Sequence, residues 1–332
     1  ALSARGAPRS PQAPGGREGP MSTSLHNVRL LGRPGLWDVL VVGGRIESLR
    51  EAGLSAPSGA LECAGSLALP GLVDAHIHLD KAFLLSRCDA ATGSFEEAMA
   101  QTLAAKAAFS VEDVRERARR LIEAEIGFGT TLMRAHVEVD PIVGLRAVEA
   151  ILPLREEYEW AVTIQVAVFA QEGITNRGGS SGTEQVDLMR QALALRCDVV
   201  GSAPYCDPDP EANIRAVFNL AAEFDVPVDF HLDYHLEAER PSLLPCVLRH
   251  AKERGWRRRV CLGHMTLLSA LDAEGLETVA AELAEAEVSV LALPASDVLM
   301  MGRRLCAGAA RERRAHDGQA SLCWRCPRAT CS

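Results

Sequence analysis

Between residues 72 and 293 the sequence alternates seven times between a short apolar run and a longer, more polar stretch. The runs are residues 72–77, 130–137, 161–169, 198–202, 226–232, 259–263 and 288–293. Between them, 111–126, 143–157, 184–195, 211–224 and 273–285 place apolar residues three and four apart, the period of a helix lying on a core. Strands that alternate with helices run parallel, because each helix carries the chain back to the edge it started from. Seven such units in one stretch predict a (β/α)₈ barrel of the TIM type, with only seven strands legible. An open doubly wound sheet is the competing architecture. It would more often carry a glycine-rich phosphate loop after its first strand, and none follows Ile77.

The 332 residues leave room for that barrel and a small satellite. Residues 25–70 supply the satellite: apolar runs at 28–31, 37–42, 45–49 and 66–69, separated by turns such as Gly43-Gly44, predict a small antiparallel sheet, part of a β-sandwich. The resulting plan is a disordered leader over 1–24, a sandwich segment over 25–70, a barrel over 71–302 and an irregular tail over 303–332. The leader is rich in Pro, Gly and Arg and has no apolar core, so it does not read as a secretory signal. Met21, directly after the Pro-, Gly- and Arg-rich residues 1–20, reads as the start of the ordered chain.

Charge sets further limits. The net charge is −9, but the first twenty residues carry +2 and residues 303–332 carry +5, so the body between them carries −16. An acidic body argues against a nucleic-acid surface, which needs clustered positive charge. No run approaches the length of a membrane helix. Six of the ten cysteines are scattered through the body, with no framework spacing, and four crowd into the tail. That dispersion predicts a cytoplasmic protein with reduced thiols, and it leaves homo-oligomerisation open. The tail has many Arg and Cys and no strand pattern. Its composition predicts a shifted frame or truncation, and Cys323-Trp-Arg-Cys326 within it is read as chance.

The chemistry centres on His76-Ile-His78. Residues two apart on a strand face the same side, so both imidazoles project together from the C-terminal end of the first barrel strand, where barrel enzymes keep their active sites. Two such nitrogens suit zinc or ferrous iron. Further histidines and polar residues follow at later strand ends: His136 with Glu138, Gln171 with Glu172, His231 with Asp233, and His264. His136 and His250 are read as ordinary structural or surface histidines.

The stretch 69–83, LPGLVDAHIHLDKAF, resembles the opening motif of the amidohydrolase superfamily, and His78-Leu-Asp80 resembles its cytosine-deaminase-like branch. Ala135-His136-Val137-Glu138-Val139, Gln171-Glu172-Gly173-Ile174, Asp198-Val-Val-Gly201, Phe230-His231-Leu232-Asp233 and Gly263-His264-Met265-Thr266 resemble the second- to sixth-strand motifs of that branch, in order. The resemblance spans roughly residues 66–303. It implies His76, His78 and His231 as ligands of one divalent ion, zinc or iron. It implies His264 as the proton shuttle beside the attacking hydroxide. Gln171, Tyr234 and Asp297 are expected to contact the substrate, a small heterocycle. The fourth strand end reads Gly201-Ser-Ala-Pro-Tyr205, without the bridging lysine of binuclear members, which implies a single metal.

Two departures qualify the resemblance. Tyr234 stands where cytosine deaminases carry a glutamate that protonates a ring nitrogen, so cytosine itself is a poor expectation. The family's eighth-strand aspartate has no counterpart in a recognisable strand; Asp317 is the only aspartate after Asp297. The leading expectation is a hydrolase of non-peptide C–N bonds in a pyrimidine-, purine- or triazine-like ring. The alternative is a remnant that binds metal without turnover, poorly soluble for want of its last strand.

Overall fold

The computed structural model describes residues 22–88, 95–175, 182–237 and 240–302. Residues 1–21 of the expected leader and the tail 303–332, with Asp317 and the Cys323/Cys326 pair, lie outside the described residues. The chain divides at Gly71 into two units, each with its own sheet.

In the first unit, β1 (Ser22–Leu30) is the central strand, followed by β2 (Trp37–Val42), β3 (Arg45–Glu51), β4 (Leu61–Glu62) and β5 (Leu67–Ala68). β1 starts at Ser22, so residues 22–24 belong to this sheet and not to a leader. β1, β2 and β3 are antiparallel neighbours, as the glycine-broken runs predict. Gly43 and Gly44 have φ of 54° and 74°, both left-handed, as a two-residue hairpin turn requires. β4 and β5, however, pair with β1 in parallel. The sheet is therefore mixed. Parallel pairing needs a connection longer than a hairpin, which residues 52–60 provide, and two-residue strands are too short to show a period.

The second unit carries seven strands among the described residues: β6 (Leu72–Ile77), β7 (Thr130–Glu138), β8 (Thr163–Ala170), β9 (Val199–Ser202), β10 (Val228–Leu232), β11 (Val260–His264) and β12 (Ser289–Leu291). They pair in chain order, every pair parallel, into a nearly closed TIM-type barrel. The surrounding helices are α1 (Phe95–Lys106), α2 (Val111–Gly127), α3 (Arg146–Glu157), α4 (Gly182–Ala194), α5 (Pro210–Phe224), α6 (Leu244–Glu253) and α7 (Ala273–Ala286). Side-chain caps set three of their starts: Ser110 accepts from Asp113 N–H, Asp209 from Ala212 N–H and Asp272 from Gly275 N–H.

Strands covered on both faces explain why the runs are continuously apolar. Met133, Ala135, Val137, Val166, Val168, Phe230 and Leu262 are all fully buried. Gly201 in β9 has no room for a side chain, since a Cβ there would collide with the carbonyl oxygen of Asp229 on β10. Among the described residues β6 and β12 are the sheet's two ends and do not pair with each other. Leu72, Val73 and Val290 are exposed on these edge strands.

Candidate active site

Four imidazoles meet at the C-terminal ends of the strands. His76 lies on β6 and His78 one residue beyond it, His136 on β7 and His231 on β10. One ring nitrogen from each falls within 4.8 Å of all the others. The rings are close: His76 lies 4.4 Å from His231 and 4.2 Å from His136, centroid to centroid. Phe169 of β8 closes one side, 4.1 Å from the His231 ring. Gly263 makes this approach feasible, because a Cβ there would come within 3.0 Å of the His76 ring.

These rings leave buried nitrogens without hydrogen-bond partners: Nδ1 of His76 and His78, Nε2 of His231 and both nitrogens of His136. Burying polar atoms unpaired is costly, so such a cluster asks for an electrophile in its midst. Burial, followed by the neighbouring histidines, pushes the His76 pKa down to about 2. Burial likewise holds His78 and His231 well below the ordinary imidazole value. Neutral imidazoles are the form that ligates metals, and the donor set fits a divalent ion of the zinc or iron type.

A polar layer lies beneath. Asp229, two residues before His231 and fully buried, accepts a 2.7 Å hydrogen bond from Arg134, which is two residues before His136. Its second oxygen lies 3.1 Å from His136 Nε2, although off hydrogen-bonding alignment.

His264 ends β11 beside this cluster, its ring 5.1 Å from His76 and 4.9 Å from His231. Both His264 and Met265 are left-handed, with φ of 71° and 49°. For side-chain-bearing residues this costs roughly 1–2 kcal/mol each, and such strain collects where a side chain must be aimed. The Met265 N–H, bonded to the Leu232 carbonyl at 3.1 Å, helps to hold the bend. Nδ1 of His264 lies 2.9 Å from Asp297 Oδ1. Asp297 Oδ2 accepts from Leu293 N–H, so both oxygens of the expected substrate contact are already engaged. The Tyr234 ring is 4.2 Å from that of His264, with its hydroxyl 3.5 Å from Ser296 Oγ. Burial raises its pKa.

Gln171, just past β8, is buried. Its Oε1 accepts a 3.3 Å hydrogen bond from Lys81, and its Nε2 faces Met99 Sδ at 3.8 Å. Behind it lie Glu138, Asp140 and Glu172, three carboxylates within mutual reach, with the Lys106 ammonium bonded to all three. A cavity of about 160 Å³ is lined by Gln171, Glu172, Leu103, Ile142 and Ile174 among others.

Burial alone would lower the Lys81 pKa, but Glu138 and Asp80 outweigh it and hold it up. Burial and the Glu138 charge raise Glu172 to about 8. Between the ordinary carboxylate range and about pH 8, the folded chain therefore holds a proton that the unfolded chain has released. The native state binds more protons there, so stability falls as pH rises through that window. Below the window both states are protonated and the contribution vanishes. Glu138 is shifted the opposite way, its charge held by Lys81 and Lys106, so its contribution is present above the ordinary carboxylate range and is lost as pH falls below it. Glu172→Gln should gain stability relative to the parent more at pH 8 than at pH 5 in denaturant melts. Parallel pH profiles for the two proteins would contradict this.

Of the residues singled out in the sequence, His76, His78, His231 and His264 meet in one place, with Tyr234 and Asp297 against His264. Gln171 is tied instead to Lys81. The ordinary role expected of His136 does not describe its position, which is inside the cluster. A signal for it was present, since Asp74-x-His76, Arg134-x-His136 and Asp229-x-His231 are polar pairs two apart in otherwise apolar strands. Lys106, Glu138 and Asp140 were also missed as a group.

A parallel barrel with clustered histidines at its C-terminal mouth defines a barrel protein built around a candidate metal centre. The chain matches the amidohydrolase family model over residues 67–316, three quarters of its length, and it belongs to that family. It is 27% identical to the N-isopropylammelide isopropyl amidohydrolase of Pseudomonas sp. strain ADP over 263 residues, 76% of this chain and 63% of that protein. It thus spans under two thirds of that relative's length. The crystal structure of a Klebsiella pneumoniae 5-methylcytosine deaminase with phosphonocytosine superposes with a TM-score of 0.76 at 26% identity, covering 85% of this chain and 68% of that one. The N-isopropylammelide isopropylaminohydrolase of Burkholderia multivorans gives a TM-score of 0.67 at 30% identity, covering 81% and 67%.

Proposed function

We propose that this chain hydrolyses an exocyclic C–N bond on a small heterocycle bearing a ring carbonyl, releasing ammonia or an amine. The observation that carries this reading is the set of buried, unpartnered imidazole nitrogens facing one another beside His264. His76, His78 and His231 would hold one divalent ion, with His136 as a fourth candidate ligand. The ion's chemistry is to lower the pKa of a water toward neutrality.

The remaining work falls to the chain's own side chains. A carboxylate only accepts, so Asp297 fixes the His264 proton on Nδ1 and leaves Nε2 as the basic atom facing the cluster. Nε2 takes a proton from the attacking water and returns it to the departing nitrogen. Lys81 has no acceptor, so the Gln171 amide turns its oxygen toward the ammonium and presents N–H to a ring carbonyl. Tyr234, with its pKa raised by burial, is a poor proton source for a ring nitrogen. That favours a triazine- or pyrimidine-like ring whose carbonyl already accepts a hydrogen bond, as in the relatives named for N-isopropylammelide, over cytosine.

The test is elemental analysis joined to turnover. About one divalent ion per chain is expected, with amine release from N-isopropylammelide exceeding ammonia release from cytosine. Chelation should abolish release and added zinc or iron should restore it. Two tightly held ions per chain would contradict the mononuclear reading. No ion, and no release from N-isopropylammelide, 5-methylcytosine or isoguanine, would remove the hydrolase reading.

A further inference from the structure

We infer that Lys106 is a positioning residue that, through Glu138 and Lys81, fixes which way the Gln171 amide faces. The inference rests on the reading that Gln171 meets the substrate, and it concerns a residue that touches none of the histidines.

The Lys106 side chain, at the C-terminal end of α1, is fully buried. An ammonium has three N–H donors, and here they meet three carboxylates: Glu138 Oε1 at 2.6 Å, Asp140 Oδ2 and Glu172 Oε2. Its donors are thus used up within the cluster. The acceptors come from two adjacent strand ends. β7 ends at Glu138 with Asp140 two residues on, and β8 ends at Ala170 with Glu172 two residues on. One buried cation therefore ties together the two segments that flank Gln171.

Glu138 is the hub. One oxygen takes Lys106, the other lies 2.8 Å from Lys81 Nζ as an ion pair off hydrogen-bonding alignment, and the backbone N–H donates to Asp80 Oδ2 at 3.0 Å. Lys81 then reaches Gln171 Oε1. With Lys106 present, Glu138 has its charge met from both sides and Lys81 keeps a donor for Gln171. Without it, Lys81 is, among the described residues, the one cation left paired with Glu138, and it is drawn inward. Gln171 then loses the contact that sets its polarity, and its amide turns to present oxygen as readily as N–H.

Stability alone is a weak reason for this arrangement. A buried ion cluster costs desolvation, and an apolar replacement with neutral partners is often as stable.

The experiment compares Lys106→Met/Asp140→Asn with the parent chain. The second change cancels the lost charge, and the asparagine keeps the oxygen that accepts from Ile142 and Val143 N–H, so the double variant folds where Lys106→Met alone can fail. The first readout needs no turnover. A crystal structure of the variant should show Lys81 beyond hydrogen-bond reach of Gln171; an unchanged Lys81–Gln171 contact overturns the inference. The second readout is the KM for N-isopropylammelide. It should rise up to roughly tenfold, the loss of one neutral hydrogen bond to the substrate, with kcat changed less. In a Gln171→Leu background the same pair should raise KM no further, whereas additive losses would mark Lys106 as merely structural. If Gln171→Leu alone leaves KM unchanged, the reading of Gln171 falls, while the structural readout still decides what Lys106 holds.

Discussion

Replacing His231 with alanine should empty the metal centre and take turnover below detection. His231 projects from the C-terminal end of β10, is 2% exposed, and its Nε2 has no hydrogen-bond partner among the described residues. Losing a group that only orients a ligand costs about 10–100-fold in affinity, and losing the ligand itself should exceed that. The measurement is ion content after dialysis against a weak chelator, alongside a thermal melt. The melt matters because a missing ring under Phe169 also leaves a cavity, and unfolding would mimic metal loss. A folded variant that keeps its ion at the parent's affinity would sink the ligand role. His136→Ala run in parallel asks whether three or four imidazoles share the ion. The proximity of His136 to Asp229 predicts a smaller loss there than at His231.

The barrel was legible because parallel strands buried on both faces leave long apolar words in the sequence, and β6 to β11 stand within a few residues of where those words lie. Helices α1 and α6 were not legible. α6 follows Pro241 and carries Pro245 in its first turn, so the segment reads as loop until the core claims Leu244, Val247 and Leu248. The site was legible where it depends on strand ends, at His76, His78, His231 and His264. It was illegible where it depends on distant partners. Lys106 meets acceptors 32, 34 and 66 residues away, and no local pattern reports such a meeting. His136 lies between, since its spacing from Arg134 repeats that of His231 from Asp229, yet a lone histidine in an apolar strand has no visible need of a metal. Asp297 follows a strand of three residues and turns back only because the helical turn Pro294–Asp297 brings it under His264.

That pairing of His264 with Asp297 leads to the second large effect. His264→Asn should keep the ion and lose turnover by about 10²–10⁴-fold, the range for removing a positioned general acid–base group. The two histidine variants thus separate by metal content, with loss at His231 and retention at His264. Asp297→Asn should fall between the parent and His264→Asn. An asparagine can still face Nδ1, but its amide can donate as well as accept, so it no longer dictates which imidazole nitrogen carries the proton. The imidazole would then spend part of its time with the proton on Nε2 and no lone pair toward the cluster. The strained backbone at His264 and Met265 is what aims the ring at the cluster. If His264→Asn releases the ion, the ring is a ligand and the proton route proposed for it is wrong. If it retains both ion and full turnover, the base lies elsewhere and the 2.9 Å contact with Asp297 serves only to hold the strand end.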